Sequence, residues 1–516
     1  MLLDPDEYEA ARQCRDPRFD GRFFVGVLTT GIYCRPVCPV RIPKKENIQL
    51  YESAAAAAAA GFRPCLRCRP ESSPGTPAWT GSSWKVSRAL QLIDQGYLDT
   101  GSVDELAAQL EVGVRQLHRL FSKHLGASPI EVAQTRRLHF GKKLIDETRL
   151  PLSEVCFAAG FGSLRRFNAV FQDTYGRSPR ELRKRKQSAL TASKELITLT
   201  LDYRPPLDWR AMLGFLAYRA IPGVEVVGES TYARTFRLDD CVGDFKANFD
   251  TGKHTVDVAI RLPNTRYLFQ IVDRIRNLFD LRADSDHIDD FFAKDKVLGN
   301  AVRHFPGTRV PGCWDGLEVA VRAILGQQVT VRAATTLVAR VVERFGSPYE
   351  AGRSSCKAES KEGISEGDGD NAELSHVFPD AATLVAADLQ GLGIVGQRIA
   401  AIQAMAEQVA NGELRIDCTV PTADFVAQVC QIKGIGDWTA HYIAMRALND
   451  PNAFPYSDLI LRRAAAPPDT TLTPKQLLEL SQQWLPWRAY AVILLWRLYG
   501  LQNQEPVTAQ EPDQTK

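Results

Sequence analysis

The sequence predicts a multidomain α+β protein. Its parts are a small cysteine-bearing domain, an all-α domain of two helix-turn-helix units, a small antiparallel α+β domain and an all-α domain carrying a helix-hairpin-helix. Three observations lead there. At 516 residues the chain is too long for one hydrophobic core. Apolar residues recur with a helical period from 84 to about 182, alternate as in strands between 195 and 262, and return to a helical period from 267 onward. Stretches rich in Gly, Pro, Ser or charge separate these regions. The expected boundaries are 1–75, 84–187, 195–300 and 301–502.

The separators are "SSPGTPAWTGSS" at 72–83 and the charged-to-polar junction 183–194. The polar, aperiodic run 346–376 reads as a disordered insertion, and the tail from Gln502 reads the same way. The alanine run 54–60 is a strong helix former and reads as a short helix. "ELITLTLDY" (195–203) and 254–262 read as strands, and 224–238 reads as a hairpin.

Composition is globular, with 45% hydrophobic and 24% charged residues. The first residues lack the basic and apolar regions of a signal peptide. No apolar run reaches the roughly 18 residues of a membrane span, so no membrane partner and a cytoplasmic location are expected. The cysteines number eleven, an odd total that argues against a disulfide framework. The net charge of +2 conceals a basic block: residues 82–187 carry 18 Lys and Arg against 11 Asp and Glu. Such a block points to nucleic acid, with a solvated basic face as the plain alternative.

Four cysteines cluster as C-x3-C and C-x2-C: Cys34 and Cys38 in "TTGIYCRPVCPVR", Cys65 and Cys68 in "GFRPCLRCRP". Two short-spaced pairs supplying four thiolates is the pattern of one tetrahedral Zn2+. The surrounding residues resemble the N-terminal domain of the Ada DNA-alkylation response proteins. That resemblance implies that Cys34 takes a methyl group from a methylphosphotriester in DNA while Cys38, Cys65 and Cys68 complete the site, making zinc both structural and activating. The chemistry agrees, because a zinc-bound cysteine is already the nucleophilic thiolate. Four thiolates leave the centre with two negative charges, and methylation removes one, so repulsion of DNA phosphates falls. Arg35, Arg41, Lys44 and Lys45 are candidates for flanking phosphates, Arg41 the strongest by its match to the family.

In the basic block, "SVDELAAQLEVGVRQLHRLFSKHLGASP" (102–129) reads as helix, turn and helix. Leu106, Leu110, Leu117 and Phe121 form its apolar face, and Arg115, Gln116 and Arg119 its exposed one. The pattern returns in "PLSEVCFAAGFGSLRRFNAVFQDTYGRSP" (151–179), with Arg165 and Arg166 exposed. A connecting helix lies between. The two units resemble the AraC-type DNA-binding domain, which implies two recognition helices entering successive major grooves of double-stranded promoter DNA, with RNA polymerase as a further partner. His118 and His139 read as surface or core histidines rather than ligands.

From about 195 to 500 the chain resembles AlkA-type 3-methyladenine DNA glycosylases. The most telling string is "QIKGIGDWTAHYIAMRAL" followed by "FPYSDLILRR": a helix-hairpin-helix, a loop and an aspartate. Gly434 and Gly436 permit a tight turn whose N–H groups approach a phosphate. Asp458 maps onto the family's catalytic aspartate, which stabilises positive charge developing on the sugar or orients water. Trp438, Tyr442 and Trp496, with Phe215 less strongly, match the aromatic pocket for a flipped base. The DNA wedge maps onto "GQQVT" with Gln328 at its tip, where the best-known relative has leucine. Bifunctional relatives carry a lysine nucleophile where Trp438 stands, which implies a monofunctional glycosylase. "PYSD" lacks the second carboxylate of "PDD" types, and no "PCHRV"-like methyltransferase string occurs.

The expectation is therefore a monomeric fusion that accepts methyl groups, activates transcription of repair genes and excises alkylated bases. A regulator with a vestigial glycosylase, and a repair enzyme merely anchored by its helix-turn-helix block, are the alternatives.

Overall fold

The computed structural model describes residues 5–74, 84–184, 196–350 and 373–502. Most of the expected separators 72–83 and 183–194, of the insertion 346–376 and of the tail from Gln502 lie outside them. Two of these expectations need correction at their edges. Ser72 and Ser73 are buried, and Glu71 before them lies 3.5 Å from the buried Lys142, so the chain is still packed at 72–74. The ends of the insertion are ordered: Ser347–Pro348 pairs with His376–Val377, and Tyr349 N–H donates to Ser375 O at 2.8 Å.

The cysteine domain is a four-stranded sheet in the order Ile48–Tyr51, Phe24–Val27, Ile32–Cys34, Arg63–Pro64. The alanine run forms the helix Ala54–Ala59, capped by Ser53, whose Oγ accepts from Ala56 N–H at 3.0 Å. Alanine suits this helix because it packs closely: a Cβ on Gly126 would sit 3.0 Å from that of Ala56.

Each helix-turn-helix unit forms as read: Val103–Gln109 with Val114–Leu125, and Leu152–Ala158 with Leu164–Tyr175. The helix Pro129–Glu147 connects them, opened by a Ser128–Glu131 capping box. Both second helices end on a left-handed glycine, Gly126 and Gly176, which no β-carbon would favour.

The α+β region is a five-stranded antiparallel sheet in the order Leu196–Asp202, Thr255–Arg261, Cys241–Asp250, Thr231–Leu238, Glu225–Val227. The strand Cys241–Asp250 was not legible. Its inward Phe245, Ala247 and Phe249 alternate, but charged Asp244 and Lys246 interrupt the apolar signal. Helices from Gly316 onward build a second core with Ser285–Ala293 and Gly299–His304. No helix among the described residues is long and apolar enough to cross a membrane.

The second helix-turn-helix unit does not stand apart from the sheet. Val155, Phe161, Phe167 and Phe171 share one buried core with Leu199, Phe245 and Val258, and Phe140 meets Phe269 edge-on at 4.7 Å. The cysteine domain touches both neighbours. Tyr33 Oη lies 2.8 Å from His139 Nε2, Ser53 Oγ donates to Leu125 O at 2.6 Å, and Arg22 is bound to Asp284 in a buried pair.

Candidate functional site

The four cysteines arrive from three places. Cys34 ends a strand, Cys38 closes the turn after it, and Cys65 and Cys68 flank the loop behind Arg63–Pro64. All four are buried, and their sulfur atoms lie within 4.8 Å of one another. Sulfurs placed about 2.3 Å from one centre in a tetrahedron stand about 3.8 Å apart, so this cage fits one Zn2+. Arg35 N–H donates to Cys68 Sγ and Arg67 N–H to Cys65 Sγ, each at 3.4 Å, which favours the thiolate forms. Burial does not distinguish Cys34 from the other three.

Arg35 is not available to a phosphate, contrary to expectation. Its guanidinium is clamped by Asp20, lies 3.5 Å from Asp202 of the sheet and donates to Cys68 O at 3.2 Å. Arg41 is exposed, as are Lys44 and Lys45, which face Glu46 at 3.5 Å and Asp6 at 3.6 Å. His139 is half-buried against Tyr33 rather than a free ligand, and desolvation pushes its pKa down to about 4.

The two recognition helices present the expected side chains to solvent. Arg115, Gln116 and Arg119 are exposed on Val114–Leu125, and Arg165 and Arg166 on Leu164–Tyr175, while Leu117, Phe121, Phe167 and Phe171 are fully buried. Amphipathic spacing decides this outcome: each helix hides one stripe and leaves its basic stripe free.

In the C-terminal region the hairpin lies between the helices Thr422–Val429 and Asp437–Ala447. Gly434, at φ +98°, supplies the turn's left-handed residue. Gly436 is extended, at φ −106°, so the backbone does not require glycine there; a Cβ would face open space. Asp458 caps the helix Leu459–Ala464, accepting from Leu461 N–H at 2.9 Å. Trp438 Nε1–H donates to its other oxygen at 2.8 Å, and Trp496 Nε1 lies 3.5 Å from the capping oxygen. Trp438 and Tyr442, one helical turn apart, are parallel to 6° with centroids 5.3 Å apart, and Trp496 lies 6.4 Å from Tyr442. Phe215 reaches this group from the α+β region through Arg446, whose guanidinium stands 4.8 Å over its ring.

Gln328 occupies the exposed tip between Gly316–Leu325 and Val331–Phe345, in the left-handed region at φ +55°. The adjacent Val329 is also exposed. The loop is clasped to the hairpin: Gln327 Nε2 donates to Gly434 O at 2.9 Å and Thr439 Oγ1 at 3.1 Å, and Arg398 donates to Gln327 O. Gln328, Arg398, Gly434 and Trp438 line a cleft of about 600 Å³.

Sequence reasoning missed the arginines behind Tyr442. Arg446 Nη1 donates to Tyr442 Oη at 2.9 Å and is anchored on Gly312 O at 2.7 Å. Burial raises the Tyr442 pKa, but Arg446, Arg219 and Arg322 outweigh it and bring it down to about 8. Only Arg446, four residues after Tyr442, left a local signal; Arg219 and Arg322 arrive from distant segments.

A thiolate cage fit for zinc, two helix-turn-helix units and a helix-hairpin-helix beside a capped aspartate define a DNA-handling protein that joins a reader to a repair fold. The comparisons agree. The metal binding domain of Ada matches residues 7–71, a helix-turn-helix domain 106–185 and the AlkA N-terminal domain 198–315. The probable bifunctional transcriptional activator/DNA repair enzyme AlkA of Mycobacterium tuberculosis is 38% identical over 497 residues, 95% of this chain and 96% of that protein. DNA-3-methyladenine glycosylase 2 of Escherichia coli is 31% identical over 59% of this chain and 99% of its own. A solved 3-methyladenine DNA glycosylase from Archaeoglobus fulgidus shares the fold at TM-score 0.50 and 19% identity, over 59% of this chain and 99% of that one. The chain belongs to the family of bifunctional transcriptional activator/DNA repair enzymes.

Proposed function

We propose that this protein accepts methyl groups from DNA methylphosphotriesters on Cys34, activates alkylation-repair genes in that methylated state, and hydrolyses the N-glycosidic bond of alkylated bases of the 3-methyladenine type. The division into units at 1–75, 84–187, 195–300 and 301–502 belongs to this reading. So do a monomeric state, RNA polymerase as the protein partner and a cytoplasmic location.

Bound zinc keeps the cysteine sulfurs as thiolates at neutral pH. In methyl transfer, Cys34 Sγ forms a bond to the methyl carbon, the carbon–oxygen bond of the phosphotriester breaks, and its electron pair returns a phosphodiester. The cage, whose Cys38 lies three residues before exposed Arg41, loses one negative charge, which strengthens contact with the DNA backbone. The exposed basic stripes with Arg115, Gln116, Arg119, Arg165 and Arg166 support promoter reading.

In base excision, the turn at Gly434 and Gly436 takes a phosphate, and Gln328 fills the gap left by the flipped nucleotide. Trp438, Tyr442, Trp496 and Phe215 hold the base. Asp458 faces the sugar carbon as the bond breaks and takes up a proton from the attacking water. Trp438 stands where a lyase needs its lysine, which supports monofunctional hydrolysis. The observation that carries the excision reading is the Asp458 carboxylate, half-buried and held by indole N–H groups beside a stacked aromatic pair. Wild-type protein is expected to release 3-methyladenine from methylated duplex DNA, and Asp458→Asn to slow release on the order of 100- to 1000-fold. Wild-type protein that releases no base would sink the reading.

A further inference from the structure

The aromatic group beside Asp458 is electrically lopsided. Trp438 binds the Asp458 carboxylate, while one helical turn on Tyr442 Oη accepts from Arg446 and feels the charges of Arg219 and Arg322. Arg446 donates to that oxygen at 2.9 Å. Arg219 stacks 3.8 Å over Phe215, whose ring Arg446 also faces. Arg322 donates one Nη to Thr335 at 2.8 Å, and its other Nη is buried without a partner. Guanidinium groups donate and never accept. With Arg446 donating to its oxygen, the phenolic hydrogen of Tyr442 has no acceptor among these arginines.

We propose that Tyr442 donates this hydrogen to a lone pair on the departing base, and that Arg219, Arg322 and Arg446 are positioning residues that polarise and aim it. The inference rests on reading Asp458 and its aromatic neighbours as the excision site. When the bond between base nitrogen and C1′ breaks, its electron pair stays on the base. A cationic base becomes neutral and a neutral base becomes anionic; either way one positive charge moves toward the sugar. Positive groups at the base end and a carboxylate at the sugar end both favour that shift, so they act more strongly in the transition state than on the bound ground state. Water adds to C1′ and gives up a proton at the Asp458 end, while Tyr442 keeps its own. The base class selected is one that offers an unprotonated nitrogen or a carbonyl oxygen at the Tyr442 edge.

The test is single-turnover release of 3-methyladenine from methylated duplex DNA by the full chain between pH 6 and 9.5, with DNA affinity measured alongside. Tyr442→Phe keeps the stacked ring and is expected to lower the rate roughly 10- to 100-fold while binding DNA as wild type does. The donor exists only while the phenol is protonated. The wild-type rate should therefore fall as pH rises through about 8, and the Phe variant should lack that limb. Arg219→Met is expected to slow release roughly threefold to tenfold without weakening DNA binding, and to move the limb to higher pH. A Tyr442→Phe protein as fast as wild type, or a wild-type rate that climbs above pH 8, overturns the proposal. A wild-type protein that releases no base overturns the underlying excision reading instead.

Discussion

Trp438 donates its indole N–H to Asp458 at 2.8 Å, so a pocket wall also aims the carboxylate. The other Asp458 oxygen is committed to the cap of the next helix. Asparagine caps a helix as well as aspartate does. Asp458→Asn can keep the cap but turns an NH2 group toward the Trp438 N–H, so it should lower the thermal midpoint by only a few degrees, while base release falls on the order of 100- to 1000-fold. Differential scanning calorimetry and a base-release assay on the same preparation check both halves. Equal losses of stability and activity would mean that Asp458 only caps.

Zinc should hold more than its own domain. Tyr33, next to Cys34, meets His139 of the connecting helix, and Ser53 holds Leu125 at the end of the first recognition helix. Stripping zinc with a chelator under reducing conditions should lower the unfolding midpoint and raise amide hydrogen exchange in both 20–70 and the connecting helix Pro129–Glu147. Exchange confined to the cysteine domain would contradict the coupling.

The buried pair Arg22–Asp284 joins the cysteine domain to the α+β region. Removing Asp284 leaves Arg22 with only Asp286 at 3.8 Å and takes the cap from Ser285–Ala293, so Asp284→Ala should cost about 3–5 kcal/mol. The double change Arg22→Met with Asp284→Asn, which keeps a capping oxygen and removes both charges, should recover most of that loss. Chemical denaturation of the three proteins decides it.

Asp289 accepts from Gly307 N–H at 2.7 Å, and burial is the main cause that pushes its pKa up to about 7. A carboxyl whose folded pKa is raised favours folding while protonated. Its contribution is complete below about pH 4 and is lost as pH climbs through about 7. Asp289→Asn keeps the acceptor without the ionisation. It should match wild type near pH 4 and exceed it at pH 8 by up to about 4 kcal/mol, less the screening that comes with the partial exposure of Asp289; equal stability at pH 8 would contradict the assignment.

What was legible followed from local chemistry. Cys34, Cys38, Cys65 and Cys68 announce their cage by spacing, and Leu117, Phe121, Phe167 and Phe171 announce the buried stripes by period. Trp438 and Tyr442 share a helix face because they lie four residues apart. What was not legible depends on tertiary meetings. Arg35 looked like a phosphate ligand because Asp20 and Asp202 come from other segments. Arg219, in the turn after Trp209–Ala217, and Arg322, on the helix Gly316–Leu325, join Tyr442 from far away in the chain. The strand Cys241–Asp250 hid behind charged residues that its neighbours satisfy, as Arg261 does for Asp244 at 3.0 Å.

The central claim is that one chain carries a single-use methyl acceptor and a turnover enzyme. Mass spectrometry of one reaction with excess methylated duplex DNA tests it directly. The prediction is one methyl group per chain, on the Cys34 peptide and saturating, while free 3-methyladenine accumulates well beyond one equivalent. A methyl group on Cys38, Cys65 or Cys68 instead, or base release that stops at one equivalent or never begins, would contradict it.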